Sequence, residues 1–259
     1  MVFRIVLLGD GNLASLIAEG IVARANCQLI GTVGRGDEVP SVVEYDLLVE
    51  VASPEAVGAR VLPEVEAGAT ALIVSVGALA DQTLRERLQR APGAALIATG
   101  AVGGLEFVRA LALSGGVEHA HISSSKLPSA LIQPWMDDAL VARLVRGDER
   151  IIVATGSAQQ VAELFPRSAN VAIALALAAD SWSDTTAEMI ADPAAINTTH
   201  VITVRGAAGS ARFEMSNLPS PTQPRSSLVV ASSVLRSIDA IIAVHTEQNA
   251  GVGNLLSLL

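Results

Sequence analysis

The stretch FRIVLLGDGNLASLIAEGIV, Phe3 to Val22, decides the fold. Phe3 to Leu8 is a nearly continuous apolar run, the pattern of a strand buried on both faces. Leu13, Leu16, Ile17, Gly20 and Ile21 then recur at helical spacing. Between them lies Gly9-x-Gly11-x-x-Ala14, the G-x-G-x-x-G/A pattern of a dinucleotide-binding turn. The first glycine permits the tight turn, and the second lets a pyrophosphate approach the backbone. The small third residue lets the helix pack on the strand, and the helix start offers N–H groups to phosphate.

Further strand–helix units follow in order. Cys27 to Val33 reads as the second strand and Tyr45 to Ser53 as the third, with Pro54 in the first helical position after a Ser53 cap. A fourth strand opens at Thr70, and Asp81 caps a helix carrying Leu84 and Leu88. Ala94 to Gly100 contains the fifth. Strands alternating with helices predict an α/β Rossmann domain, a doubly wound parallel sheet that binds ligands at the carboxyl ends of its strands. The expected cofactor contacts are therefore Gly9, Gly11, Asn12 and Leu13 in the turn, Ala52 and Ser53 after the third strand, and Ser75 after the fourth. No acid directly follows the second strand to hold a ribose 2′-OH. Arg35 lies there instead, either as a partner for a 2′-phosphate, which would admit NADP, or as a solvated loop charge.

The composition agrees with a globular protein. The 259 residues suit one large domain or two modest ones, and 51% are hydrophobic against 17% charged. Aromatic residues make up only 3%, so the core is built from Ala, Val, Leu and Ile. The net charge of −9 argues against a nucleic-acid partner, whose phosphates need Lys and Arg. A single cysteine, Cys27, leaves no internal disulfide or cysteine-rich metal site and fits a reducing, cytoplasmic setting. No metal site is expected. No membrane span is expected either, since apolar runs such as Asn170–Ala179 fall short of ~20 residues.

After Gly103-Gly104 the pattern changes to mixed α+β. A strand through His119 and His121 leads into a polar loop with Lys126, and Ser157 with Gln160 forms a capping box. Val171 to Ala179 reads as a small buried helix. Strand-like segments follow at Glu188–Ala191, His200–Val204 and Ala211–Ser216, in a sheet expected to be antiparallel. A proline-rich loop then leads to an apolar helix, about Ser227 to Val244, that returns to the first domain. The expected division is 1–106 plus about 222–259 for the Rossmann domain, with 107–221 as an inserted α+β substrate and dimerisation domain. His200 follows a polar turn and is, on its residues alone, either an acid/base or a strand-start histidine. His119, His121 and His245 read as structural or solvent-facing.

Eight stretches in order resemble the L-aspartate dehydrogenase family: GDGNLA, VEVASPEAV, SVGALAD, TGAVGGLEF, SSKLPSAL, GSAQQVAELFPRSANVAIALALA, ADPAAINTTH and PSPTQPRSS. They cover nearly the whole chain. The resemblance implies oxidative deamination of aspartate through iminosuccinate to oxaloacetate and ammonia, or supply of the imine to NAD biosynthesis, by a homodimer using NAD or NADP. It makes His200 catalytic, eight residues after Asp192 of the Asp-Pro pair. It sets Asn170 against the nicotinamide end and brings Ala101 to the cofactor. The family usually carries Arg-Lys-Pro-Pro where this chain has Ser125-Lys126-Leu127-Pro128, and an asparagine where it has Thr198, with Asn197 one step earlier. Those departures touch substrate recognition and leave room for another small amino or dicarboxylic acid. A non-catalytic NAD(P)-binding sensor is the alternative of a different class.

Such chemistry needs a base of near-neutral pKa, for which histidine is the default. Two substrate carboxylates need cations or donors. Lys126 is the candidate, with Ser123, Ser124 and Ser125 as hydroxyl donors, unless it is a loop lysine in water.

Overall fold

Strand β1 (Phe3–Leu8) lies second from one edge of a fully parallel sheet with the order β2-β1-β3-β4-β5. Its neighbours are β2 (Cys27–Val33) and β3 (Leu47–Glu50), and beyond β3 come β4 (Thr70–Ile73) and β5 (Ala94–Ile97). The structure, a computed structural model, describes residues 2–166, 168–218 and 227–250. Most of the expected proline-rich loop, 219–226, and the last nine residues, 251–259, lie outside them.

The continuous apolar run of β1 has a direct cause. Ile5 and Leu7 enter one core cluster while Val6 and Leu8 enter another, so both faces of the strand are covered. Helix α1 (Asn12–Val22) packs through Ala14, Ile17 and Ile21 on the first of these. Fully burying a side chain of the Ile or Leu class contributes about 1.5–3 kcal/mol. The expected caps hold: Ser53 accepts from the Ala56 N–H before α2 (Pro54–Ala56), which runs through a π-helical turn into α3 (Leu62–Glu66). Asp81 accepts from the Thr83 and Leu84 N–H groups before α4 (Gln82–Arg90).

From α5 (Leu105–Leu113) the chain enters a second sheet, ordered β10-β9-β6-β8-β7. Its strands are β6 (Val117–Lys126), β7 (Ile151–Ser157), β8 (Thr185–Ala191), β9 (Thr198–Gly206) and β10 (Gly209–Asn217). Helix α6 (Asp138–Arg146) precedes β7. Helix α7 (Ala158–Leu164), opened by the Ser157–Gln160 capping box, and α8 (Asn170–Ala179) precede β8. The sheet is mixed rather than antiparallel, because β6 and β8 pair in parallel. Those helices supply the long crossover that a parallel pair needs. Lys126 also departs from the expected polar loop: it is the last residue of β6, and it is buried.

Helix α8 joins the two sheets' cores. Eight of its residues are buried, and its alanines let it approach α5, α7 and the 3-10 turn Val76–Ala80 after β4. Helix α9 (Val229–Ala250) returns to the first sheet, where Ala231, Val234, Ile238 and Ile242 join the α1 core. Gly20 of α1 sits so close to α9 that a Cβ there would stand 2.3 Å from Leu235 Cδ1. Arg24 grips Asp239 at 2.7 and 3.0 Å across the same contact. By length and composition alone the Val229–Thr246 window of α9, mean hydropathy 1.4, is long and apolar enough to cross a membrane, although it contains Arg236 and Asp239.

Candidate active site

The carboxyl edge of the parallel sheet faces the second sheet across a cavity of about 220 Å³. On one side its wall contains Leu13, Val51, Ser75 and Ala101, and on the other Lys126, Asn170 and His200. Residues far apart in the chain are thus brought to one cleft.

The dinucleotide turn fits an NAD(P) pyrophosphate. Gly9 has φ +134°, and a Cβ there would press the Val51 backbone at 3.0 Å, so this position requires glycine twice over. Gly11 is different: a Cβ there would meet nothing within 4 Å, so the space before the backbone is open. No side chain caps the helix start at Gly11. Asn12 begins α1, and the buried Ala14 packs it on the sheet.

Strand periodicity sorts the second sheet's candidates. Ser124 and Lys126 are buried on one face of β6, and Ser123 and Ser125 lie on the other. His200 of β9 is the register partner of Ser124, and Ser124 Oγ stands 2.9 Å from His200 Nδ1. Ser123 and Ser125, expected as substrate donors, face away because side chains alternate along a strand. They line a separate hollow with Asn197, whose Nδ2 donates to Ser216 Oγ at 3.0 Å. Asn197 is therefore also outside the cleft, and Thr198, at the start of β9, does not line it.

The electrostatics of the cleft follow from burial. His200 and Lys126 are 2% and 8% exposed. Burial, then the charge of Lys126, pushes the His200 pKa down to about 3, so its imidazole is neutral. Burial pushes the Lys126 pKa down to about 8. Lys126 makes no ion pair with a described carboxylate and faces the cavity.

Asn170 Oδ1 accepts the Gly77 N–H at 2.8 Å, which orients its amide at the cavity wall. Asn217 Nδ2 donates to the Ala101 carbonyl at 2.9 Å and pins that loop. Ser75 lines the cavity, whereas the N–H groups of Ala52 and Ser53 turn inward to Glu50 at 2.8 and 3.0 Å. Glu50 and Asn217 are the residues that sequence reasoning missed, and Ser124, expected as a substrate donor, stands instead against His200. The signal for Glu50 was visible as a lone acid closing an apolar strand. Arg35 is exposed in the turn after β2. Asp37 Oδ2 accepts the Gly34 N–H at 2.9 Å beside it, and Arg60 donates to the Gly34 carbonyl at 2.7 Å. Among the described residues no group of three or more His, Cys, Asp or Glu could hold a metal ion.

Residues 108–241 match the family model described as aspartate dehydrogenase, C-terminal, and residues 9–95 match the homoserine dehydrogenase NAD-binding domain. The L-aspartate dehydrogenase 2 of Bordetella bronchiseptica is 34% identical over 95% of this chain and 99% of its own length. The L-aspartate dehydrogenase of Ruegeria pomeroyi is 34% identical, with 91% of each chain covered. The crystal structure of aspartate dehydrogenase from Thermotoga maritima shares the fold, with a TM-score of 0.69 over 99% of this chain and 100% of that one at 23% identity. One family model thus spans just over half of the sequence, and near-full-length relatives exceed 30% identity. The chain belongs to the L-aspartate dehydrogenase family and is an amino-acid dehydrogenase that uses NAD or NADP.

Proposed function

We propose that this protein catalyses the oxidative deamination of L-aspartate, releasing an imine that hydrolyses to oxaloacetate and ammonia or passes to a biosynthetic partner. The observation that carries this reading is Lys126, a buried cation on the same wall of the cleft as a neutral His200. A dicarboxylic amino acid supplies the anion that Lys126 lacks. The bound nicotinamide supplies the hydride acceptor for the substrate Cα. His200 takes a proton from the substrate ammonium and releases it to solvent, then takes one from the water that attacks the imine and returns it to the departing amine. Asn170 and the Ala101 loop orient the cofactor, and Gly9 and Gly11 admit its phosphates. Ser125 faces away from the cleft, so the place where the family usually carries arginine does not remove a cation from it. That favours aspartate over the reading as a dehydrogenase of some other small acid.

The test follows reduced-nicotinamide absorbance with aspartate, glutamate and alanine, each with NAD and NADP. Turnover greatest with aspartate supports the reading; cofactor binding without turnover on any of them sinks it and favours a sensor. Lys126→Met should raise the KM for aspartate about 10–100-fold, since hydrogen bonds to charged groups are worth about 1.5–3 kcal/mol. Lys126 is cationic below its pKa of about 8, so wild-type kcat/KM should fall as pH rises through that value. A KM unchanged in Lys126→Met would remove the lysine from substrate binding.

NADP is accepted at least comparably with NAD on this reading, through Arg35. Arg35→Ala should weaken NADP binding selectively, and an equal loss for both cofactors would count against a 2′-phosphate contact. The substrate unit, 107–221, also pairs two copies in a homodimer, with residues 1–106 and 222–259 forming the cofactor unit.

A further inference from the structure

Glu50 closes β3 with no exposed surface at all. It stands two residues after Leu48, a position whose side chain enters the hydrophobic core. Its carboxylate accepts five hydrogen bonds. Oε1 takes the Ala52 N–H (2.8 Å), the Ser53 N–H (3.0 Å) and the Ser75 hydroxyl (2.8 Å). Oε2 takes the Val74 N–H at 3.3 Å and the Ser75 N–H at 2.9 Å. Every partner is a neutral donor, and among the described residues no lysine, arginine or histidine bonds to it. Four backbone N–H groups cannot accept a proton from a carboxylic acid, so this set of partners suits the ionised form. Burial pushes the Glu50 pKa up, and the donated hydrogen bonds oppose that shift.

Two loops converge on this anion, one after β3 and one after β4, and Val51, Val74 and Ser75 from them line the cleft. Glu50 is therefore one residue layer behind the cofactor side of the cavity, while Lys126 is on the substrate side. A buried anion without a counter-cation acts on any charge that appears beside it, with little solvent to screen it.

We propose that Glu50 is a fixed anion that favours the positively charged oxidised nicotinamide ring over the neutral reduced ring, and so sets the relative affinity of the two cofactor forms. This rests on the reading that the nicotinamide lies in the cleft between Ser75 and Asn170. Glu50 touches neither substrate nor cofactor and acts as a positioning residue with a charge. At an effective dielectric constant of about 20, a unit charge one residue layer away changes an affinity on the order of tenfold.

The experiment measures dissociation constants for NAD+ and NADH with the full chain, Glu50→Gln and Glu50→Asp, without substrate. Glu50→Gln should weaken both forms, because its amide NH2 confronts N–H donors, and should weaken NAD+ by about a further tenfold. Glu50→Asp keeps the charge while loosening the loops, so both affinities should fall together. A folded Glu50→Gln with the wild-type ratio overturns the proposal and leaves Glu50 as a loop tie alone. Should that variant not fold, the wild type decides through reciprocity. The Glu50 carboxyl, followed by carbon-13 NMR, must titrate at lower pH with NAD+ bound than with NADH. Identical titration also overturns the idea. No substrate is involved, so a failure of the aspartate reading leaves this test intact.

Discussion

Replacing His200 by alanine or asparagine lowers kcat about 10²–10⁴-fold, the usual contribution of general acid–base catalysis, while cofactor affinity is retained. The two effects separate because the imidazole lies on β9 of the second sheet and the phosphate turn lies at the start of α1. Steady-state kinetics and a cofactor titration on one sample check this. Near-normal turnover in the variant would make His200 a packing residue and move the proton chemistry elsewhere.

The same residue carries a pH signature. Two causes hold its pKa at about 3 in the free protein: burial first, then the positive charge of Lys126. A substrate carboxylate that neutralises Lys126 removes the second cause, so the bound complex has the more basic imidazole. The acid limb of kcat should therefore lie at higher pH than the acid limb of kcat/KM, since kcat reports the complex and kcat/KM the free enzyme. An acid limb of kcat/KM near 6.5, the ordinary histidine value, would show that His200 is not desolvated. Ser124→Ala should shift both limbs, because it removes the hydroxyl that stands 2.9 Å from Nδ1.

Gly11→Val should abolish cofactor binding in a protein that still folds. The fold tolerates the change because Gly11 has φ −82° and ψ 179°, ordinary extended backbone, and its Cβ would point into open space. Binding does not tolerate it, because that space is where the pyrophosphate must reach the helix start. Losing two charge-assisted hydrogen bonds, each about 1.5–3 kcal/mol, lowers affinity roughly 10²-fold or more. Fluorescence titration and circular dichroism together test this. A folded variant with normal affinity would remove Gly11 from the phosphate site. Gly9→Val is the contrast: it should lose stability as well, since its positive φ and contact with Val51 leave no room.

The parallel sheet was legible because its determinants are local. A strand covered on both faces must be apolar throughout, a glycine turn must follow it, and Ser53, Asp81 and Ser157 each sit beside the N–H groups they cap. The position of His200, eight residues after Asp192, was equally available from the order of residues. The hand of the second sheet's pairing was not, because β6 meets β8 across about sixty residues of intervening chain, and no local signal states whether that partner runs parallel or antiparallel.

The cleft itself was decided by tertiary structure. Ser124 and Ser125 are adjacent and identical in type, yet only Ser124 touches His200, because the strand's two-residue period points them to opposite faces and the pairing of β6 with β9 chooses which face is buried. Lys126 was expected in a polar loop as the substrate cation; the strand continues to it, and the core that closes around it strips its solvent and depresses its pKa. Glu50 is an acid at the end of an apolar strand, and only the folding of two separate loops onto it provides the five donated hydrogen bonds that offset its burial. Sequence pattern determines which residues can be strand, turn or helix, since those preferences act over a few residues. Burial, facing and pKa depend on groups that arrive from distant parts of the chain, so they exist only once both sheets have closed around the cavity.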